Sequence, residues 1–539
     1  KTGHYDEAVE LCRNFARAYP DVSCDQIGTT VEDRPLVMVR HTPPGRPIIY
    51  VQAGIHAGEI EGKDAGFAFF RDMLDGKVAP GAAAAVGFVF VPVMNPDGHE
   101  RFGPNNRPNQ RGPEEMGFRT NAARLNLNRD YVKADAPETQ AVLRVIAKDD
   151  PVLVVDLHTT DGAKFQHDIS ISAAPVAARP DKLDTVAKAM SDSIVARLTA
   201  LGHLPVDFYP SFIKQDDPTS GFARGEAPPR FSQEYAAARD RLGVLVETHS
   251  WHTYKQRAES TYHALQAIFE EATRSATSWA QHEADASRGS DALRGASIPM
   301  VFDNGPGHHD IQFRGFAYTK RPSEISGADW IIYDETKPEV WTVPLYDELV
   351  PKVSVTAPGE GYIIDGGYAP QIAAVLDRHG ITHRPIAGQP RVTVDVFRAT
   401  KVVYGKPFEG HLRATFEGAW TKETRTLDRG AIFVPIRNNH LRLVVNLLDP
   451  ALPDSLAQWG ELDTAFEQKE YMESYVAEEE ARRMIGLSPA LAEELAAAIA
   501  ADPELAKDPE KRLDLVYRKH PAWDERLDLL PVYRTDRIP

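Results

Sequence analysis

Cysteine is almost missing from this 539-residue chain, with only Cys12 and Cys24 present. That excludes a disulfide-stapled scaffold, so stability must come from buried apolar surface. A hydrophobic share of 42% supplies an ordinary amount of it. The two cysteines read as separate buried thiols; the alternative, a bridge between them, would suit an oxidising compartment. Positive charge is also scarce: 61 Lys and Arg stand against 78 Asp and Glu, a net charge of −17. A body this acidic repels phosphate backbones, which argues against nucleic acid as a partner. No apolar run reaches ~18 residues, so no membrane span is expected. There is no Gly-x-Ser-x-Gly elbow, no phosphate-binding loop, no dinucleotide fingerprint and no cysteine beside a plausible base, which disfavours nucleophilic and nucleotide-dependent chemistry.

What remains is a soluble composition spread over more residues than one core usually holds. Residues 5–19 carry Ala8, Val9, Leu11, Cys12, Phe15 and Ala16 at helical spacing. Apolar runs at 35–39, 47–51, 86–93, 151–156 and 242–246 read as strands, with helical stretches at 63–74 and 183–201 between them. Continuous apolar strands alternating with helices predict a mostly parallel sheet covered on both faces. Further along, "GYIIDGG", "RVTVDVFRATKVVY", "GHLRATF", "GAIFVPI" and "HLRLVVNLL" predict a smaller β-rich region. From 461 the chain becomes charged and helical. The expected organisation is a catalytic domain over 1–285, a β-rich region over 286–460 and a helical tail over 461–539.

Four of the apolar runs end in polar residues. "PIIYVQAGI" leads to His56 and Glu59, "FVFVPVM" to Asn95-Pro96-Asp97-Gly98, "VLVVDL" to His158 and "GVLV" to Glu247. In an open α/β sheet, ligands bind outside the carboxyl ends of the strands, so these residues can converge. Imidazole nitrogen with carboxylate oxygen suits zinc held by three protein ligands, with a fourth position open. His56, Glu59 and His158 make such a set, Glu247 is left over as a base, and Asp156 shares a strand face with His158.

These motifs, in this order, resemble the zinc carboxypeptidases over most of residues 5–260. "HAGE" matches the first two ligands, His56 and Glu59, and "DLHT" the third, His158. "NPDG" (95–98) matches a landmark turn. The resemblance implies that "FRTN" carries Arg119 over the scissile carbonyl, that "LNLNRDY" supplies Asn128 and Arg129 for a terminal carboxylate, and that "LVETHS" carries the catalytic Glu247. Two positions depart from the pattern: Asp130 where many relatives have Asn, and Thr248 after the glutamate. The family's mobile tyrosine does not align; Tyr235 is the choice made here.

The resulting expectations are an α/β/α sandwich with a β-rich and then helical C-terminal extension, one Zn²⁺ per chain, and a peptide substrate cut near its C-terminus. A zinc deacylase or amidohydrolase on the same site is the alternative, and a binding protein with a relict zinc site is another. The first residue is Lys1 rather than Met, which reads as a trimmed N-terminus, so a periplasmic or secreted location is expected, with the cytoplasm as the alternative.

Overall fold

The computed structural model describes residues 2–539. Nine strands precede residue 250: β1 (Ser23–Thr29), β2 (Pro35–His41), β3 (Ile48–Ala53), β4 (Gly87–Val91), β5 (Leu153–Thr159), β6 (Ile169–Ala174), β7 (Pro205–Val206), β8 (Phe222–Ala223) and β9 (Leu242–Thr248). All but β8 form one sheet in the order β1-β2-β4-β3-β5-β9-β6-β7. Its centre, β4-β3-β5-β9, is parallel, while β1–β2, β2–β4 and β6–β9 pair antiparallel. The five apolar runs account for β2 to β5 and β9. β1, "SCDQIGT", is a polar edge strand with no fully buried residue, so it carries no apolar signature.

Alternation sorts the strand side chains between two cores. Ile49, Val51, Phe88, Phe90, Leu153 and Val155 face one core, which is closed by the helices Tyr5–Ala18, Glu61–Leu74, Leu183–Ala200 and Tyr254–Gly289. The last is 36 residues long and begins at a capping box between Thr253 and Gln256. Tyr50, Val89, Val91 and Val154 face the other core. The helix Pro137–Asp149 covers that face together with residues from beyond 290, among them Tyr362, Ile372, Leu443 and Val532. The C-terminal extension therefore packs directly on the sheet.

The extension contains β10 (Ser297–Asn304), β11 (His309–Pro322), β12 (Asp329–Tyr346), β13 (Leu349–Thr356), β14 (Gly361–Ile364), β15 (Arg384–Pro385), β16 (Arg391–Phe408), β17 (His411–Thr426), β18 (Ile432–Pro435) and β19 (Leu529–Thr535). β10 pairs with β13, and β11-β12 takes up β8 as a third strand. The remainder form a six-stranded sheet ordered β15-β18-β14-β19-β16-β17. Two expectations need correction. "HLRLVVNLL", read with the β-rich runs, is a helix over Leu441–Leu448 in which every residue is buried, Arg442 and Asn446 included; a short, mostly apolar run is not assigned to helix or strand by periodicity alone. The tail expected to be helical contains four helices between Ser474 and Tyr517, but its last strand, β19, returns to pair with β14 and β16.

Cys12 and Cys24 are joined in a disulfide, so the reading as separate thiols is overturned. The N-terminal helix packs across β1 and β2 and brings the two Cα atoms to 5.4 Å. No single helix among the described residues is long and apolar enough to cross a membrane.

Candidate active site

Strands β3, β5 and β9 lie side by side and parallel, so their carboxyl ends open at one edge of the sheet. His56 and Glu59 follow β3, and His158 and Glu247 are register partners at the ends of β5 and β9. Four residues separated by up to 191 positions thus meet through strand pairing alone.

Glu59 is at the centre. Its Oε1 lies 3.0 Å from His56 Nδ1, and its Oε2 lies 2.9 Å from His158 Nδ1 and accepts the Thr159 N–H at 3.0 Å. The opposite ring nitrogens also face oxygens. His56 Nε2 is 3.0 Å from Asn126 Oδ1, and His158 Nε2 is 2.8 Å from Asp156 Oδ2, an ion-pair contact rather than a straight hydrogen bond. Outer partners of this kind turn both Nδ1 atoms toward the carboxylate. The three side chains are buried and present their ligand atoms within 4.8 Å of one another. Two imidazole nitrogens and a carboxylate gathered this closely fit a zinc ion. Burial lowers the His56 pKa to about 4, whereas at His158 the Asp156 and Glu59 carboxylates outweigh burial and raise it.

The spacing "HAGE" is set by contact. A Cβ added at Gly58 would lie 2.6 Å from the Arg107 side chain and 2.8 Å from the Gly117 carbonyl oxygen. Arg107 passes that close because its guanidinium donates to Glu59 Oε1 at 2.6 Å and to the Thr159 carbonyl at 3.2 Å. In the NPDG turn, Asn95 Oδ1 accepts the Gly98 N–H, while its amide donates to the carbonyls of Ile55 and Arg119. The turn therefore ties the ligand loop to the Arg119 segment.

Glu247 is 6% exposed, and its Oε2 has no hydrogen-bond partner. Burial, reinforced by the Glu59 carboxylate and opposed by His158 and Arg107, raises its pKa to about 8. It lines a cavity of about 880 Å³ together with His56, Arg119, Asn128 and Arg129. The Arg119 side chain is 35% exposed, with Nη1 3.5 Å from Glu59 Oε1. Arg129 lies with its guanidinium carbon 4.0 Å from the centre of the Phe231 ring and donates one hydrogen bond, to the Asn128 carbonyl. It forms no ion pair among the described residues. Burial and the neighbouring Arg119 and Arg230 cations, opposed by the Glu409 carboxylate, lower its pKa to about 10. Asn128 is fixed by the Ser232 N–H, which its Oδ1 accepts at 3.2 Å.

Tyr235 does not belong here. It is fully buried in the helix Ser232–Ala238, and its hydroxyl is 2.8 Å from His379 Nδ1. Tyr209 is the tyrosine that lines the cavity, close enough to Glu247 and Asp161 that, after burial, they raise its phenol pKa further. Tyr209 in "VDFYPSF", Arg107 and Asn126 are not singled out by sequence pattern: all three sit outside regular strands and helices. The departures Asp130 and Thr248 have structural roles. Asp130 accepts the N–H groups of Asp135 and Ala136, and the Thr248 hydroxyl donates to Glu61 at 2.9 Å.

A mixed α/β sheet whose adjoining strand ends supply a His-Glu-His cluster and a free buried glutamate defines a metallopeptidase-type site. The zinc carboxypeptidase family model matches residues 8–286, and the chain belongs to that family. Solved structures with similarity include a metallo-carboxypeptidase from Burkholderia cenocepacia (17% identity, covering 50% of this chain and 68% of that one, TM-score 0.37). A metallo-carboxypeptidase from Pseudomonas aeruginosa in complex with (2-guanidinoethylmercapto)succinic acid shows 17% identity over 49% of this chain and 67% of that one, with TM-score 0.36. Carboxypeptidase A from Helicoverpa armigera shows 15% identity over 51% and 75%, with TM-score 0.36. A comparison with curated proteins gave no match.

Proposed function

We propose that the protein is a zinc-dependent metallocarboxypeptidase that removes single residues from the C-terminus of peptides. The observation that carries this reading is Arg129: a guanidinium over the Phe231 ring, with no direct ion pair among the described residues, in the same cavity as His56 and Glu247. A planar fork of donors held this way suits a carboxylate, and a free α-carboxylate is what distinguishes the last residue of a peptide from all others.

His56, Glu59 and His158 would hold one zinc ion per chain. When bound, zinc supplies Lewis acidity, bringing the pKa of a water toward about 7 and polarising a carbonyl oxygen. Glu247, buried beside the cluster with an oxygen unpartnered among the described residues, takes a proton from the attacking water and passes it to the leaving amine. Arg119, at the mouth of the cluster, donates to the oxygen on which charge develops; one such donor is typically worth ~2.7–4 kcal/mol. Arg129 and Asn128 orient the substrate by its terminus, and Tyr209 supplies a hydroxyl on the facing wall. The Cys12–Cys24 bond supports placing the activity in the periplasm or outside the cell.

The test is a matched pair of peptides, one with a free C-terminus and one amidated. The proposal expects release of single residues from the first and little reaction with the second. Equal rates would instead favour a deacylase or an endopeptidase.

A further inference from the structure

The tip of the β16–β17 hairpin is built against its own local preference. Phe408 pairs with His411, which leaves a two-residue turn of Glu409 and Gly410 with φ of 49° and 85°. Turns with both central residues in the left-handed region favour Asn-Gly, Asp-Gly or Gly-Gly, and a glutamate is sterically disfavoured at the first position. A residue that breaks a local rule calls for a compensating contact. Glu409 has one: its Oε2 accepts the N–H of Asn126 at 2.8 Å, across 283 positions of sequence.

Asn126 is a junction in the site. Its side-chain oxygen meets His56 Nε2 and the Asn128 N–H, each at 3.0 Å, so the segment running into Arg129 hangs from it. A second acid from the C-terminal region holds the segment that packs against it, since the Ser232 N–H donates to Asn128 Oδ1. Asp454, fully buried, accepts from the Arg230 guanidinium at 2.7 Å and from the Arg230 N–H at 3.1 Å. Arg230 immediately precedes Phe231, the ring on which Arg129 rests. The two segments that meet at Arg129 are therefore both tethered to carboxylates that lie outside the family-matched residues 8–286.

We propose that the C-terminal region is a working part of substrate recognition, with Glu409 and Asp454 acting as positioning residues that hold the 126–129 and 230–231 segments around Arg129. This rests on the reading of Arg129 as the carboxylate-binding residue. The extension lines the same cavity elsewhere too, through Asp347 and Leu349 beside the β8–β12 pairing.

The experiment uses full-length protein carrying Glu409→Ala, Glu409→Gln or Asp454→Asn. Zinc content and thermal midpoint are measured first, then KM and kcat on one peptide in free and amidated forms, then amide hydrogen exchange over residues 123–132. Glu409 sits at a hairpin tip, so Glu409→Ala should stay folded and zinc-loaded. It should exchange faster over 123–132 and show KM on the free peptide raised about tenfold, with kcat changed less and the slow amidated reaction unchanged. Glu409→Gln retains an acceptor oxygen and should recover part of the loss; Asp454→Asn should raise KM in the same way. Unchanged exchange, or faster exchange with unchanged KM in an enzyme that still discriminates against amidation, would overturn the inference alone. A wild-type enzyme indifferent to amidation would instead overturn the role of Arg129, and the inference with it.

Discussion

Replacing Arg129 with alanine removes a guanidinium that lines the cavity, lies over the Phe231 ring and forms no direct ion pair among the described residues. Its planar fork can give two charge-assisted hydrogen bonds to a carboxylate, and bonds to charged groups are worth ~1.5–3 kcal/mol each. Taking the pair together at about 3 kcal/mol, kcat/KM on a free peptide should fall by about 10²-fold. The amidated peptide, which offers no carboxylate, should lose little. Arg129→Lys keeps the charge but not the fork, and should recover only part of the activity. The assay compares kcat/KM for the two peptides across wild type and both variants, with zinc content and thermal midpoint as controls. Phe231 and Asn128 keep their backbone contacts in the variants, so gross unfolding is not expected. If Arg129→Ala lowers both peptides equally, the damage is to the shared chemistry and the assignment of Arg129 fails. If it lowers neither, the carboxylate is recognised elsewhere.

His158→Ala leaves two ligands and should purify folded with little zinc; stoichiometric metal by elemental analysis would contradict the ligand set. Glu247→Gln should bind zinc normally and lose about 10³-fold in kcat with a modest change in KM, whereas loss of zinc would make Glu247 a ligand. Denatured, unreduced protein should present no titratable thiol. Reducing the Cys12–Cys24 bond, which closes a loop with a sequence separation of 12, should cost about 3 kcal/mol of stability; two free thiols before reduction would refute the bridge.

Much of the site was legible in the chain itself because strand ends in an α/β sheet are marked twice, by an apolar run and by the polar residue that stops it. His56, Glu59, His158 and Glu247 each carry that mark, and parallel pairing of β3, β5 and β9 is enough to bring them together. The Arg119, Asn128 and Arg129 segments were legible only as ordered family motifs, since an arginine in a loop has no periodicity of its own. Tertiary structure alone decided the rest. Tyr235 and Tyr209 lie 26 residues apart and look equally able to serve, but the helix Ser232–Ala238 turns Tyr235 into the core against His379, and the loop after β7 leaves Tyr209 on the cavity wall. Arg107 reaches Glu59 only because Gly58 has no Cβ to stop it. Cys12 and Cys24 meet because a helix crosses an edge strand, and the segment Leu441–Leu448, whose short run is ambiguous between helix and strand, is a helix buried on every side. Glu409 and Asp454 reach the Arg129 slot because the extension covers one face of the sheet. Contacts made across hundreds of residues depend on how layers stack, and local sequence pattern carries no record of that stacking.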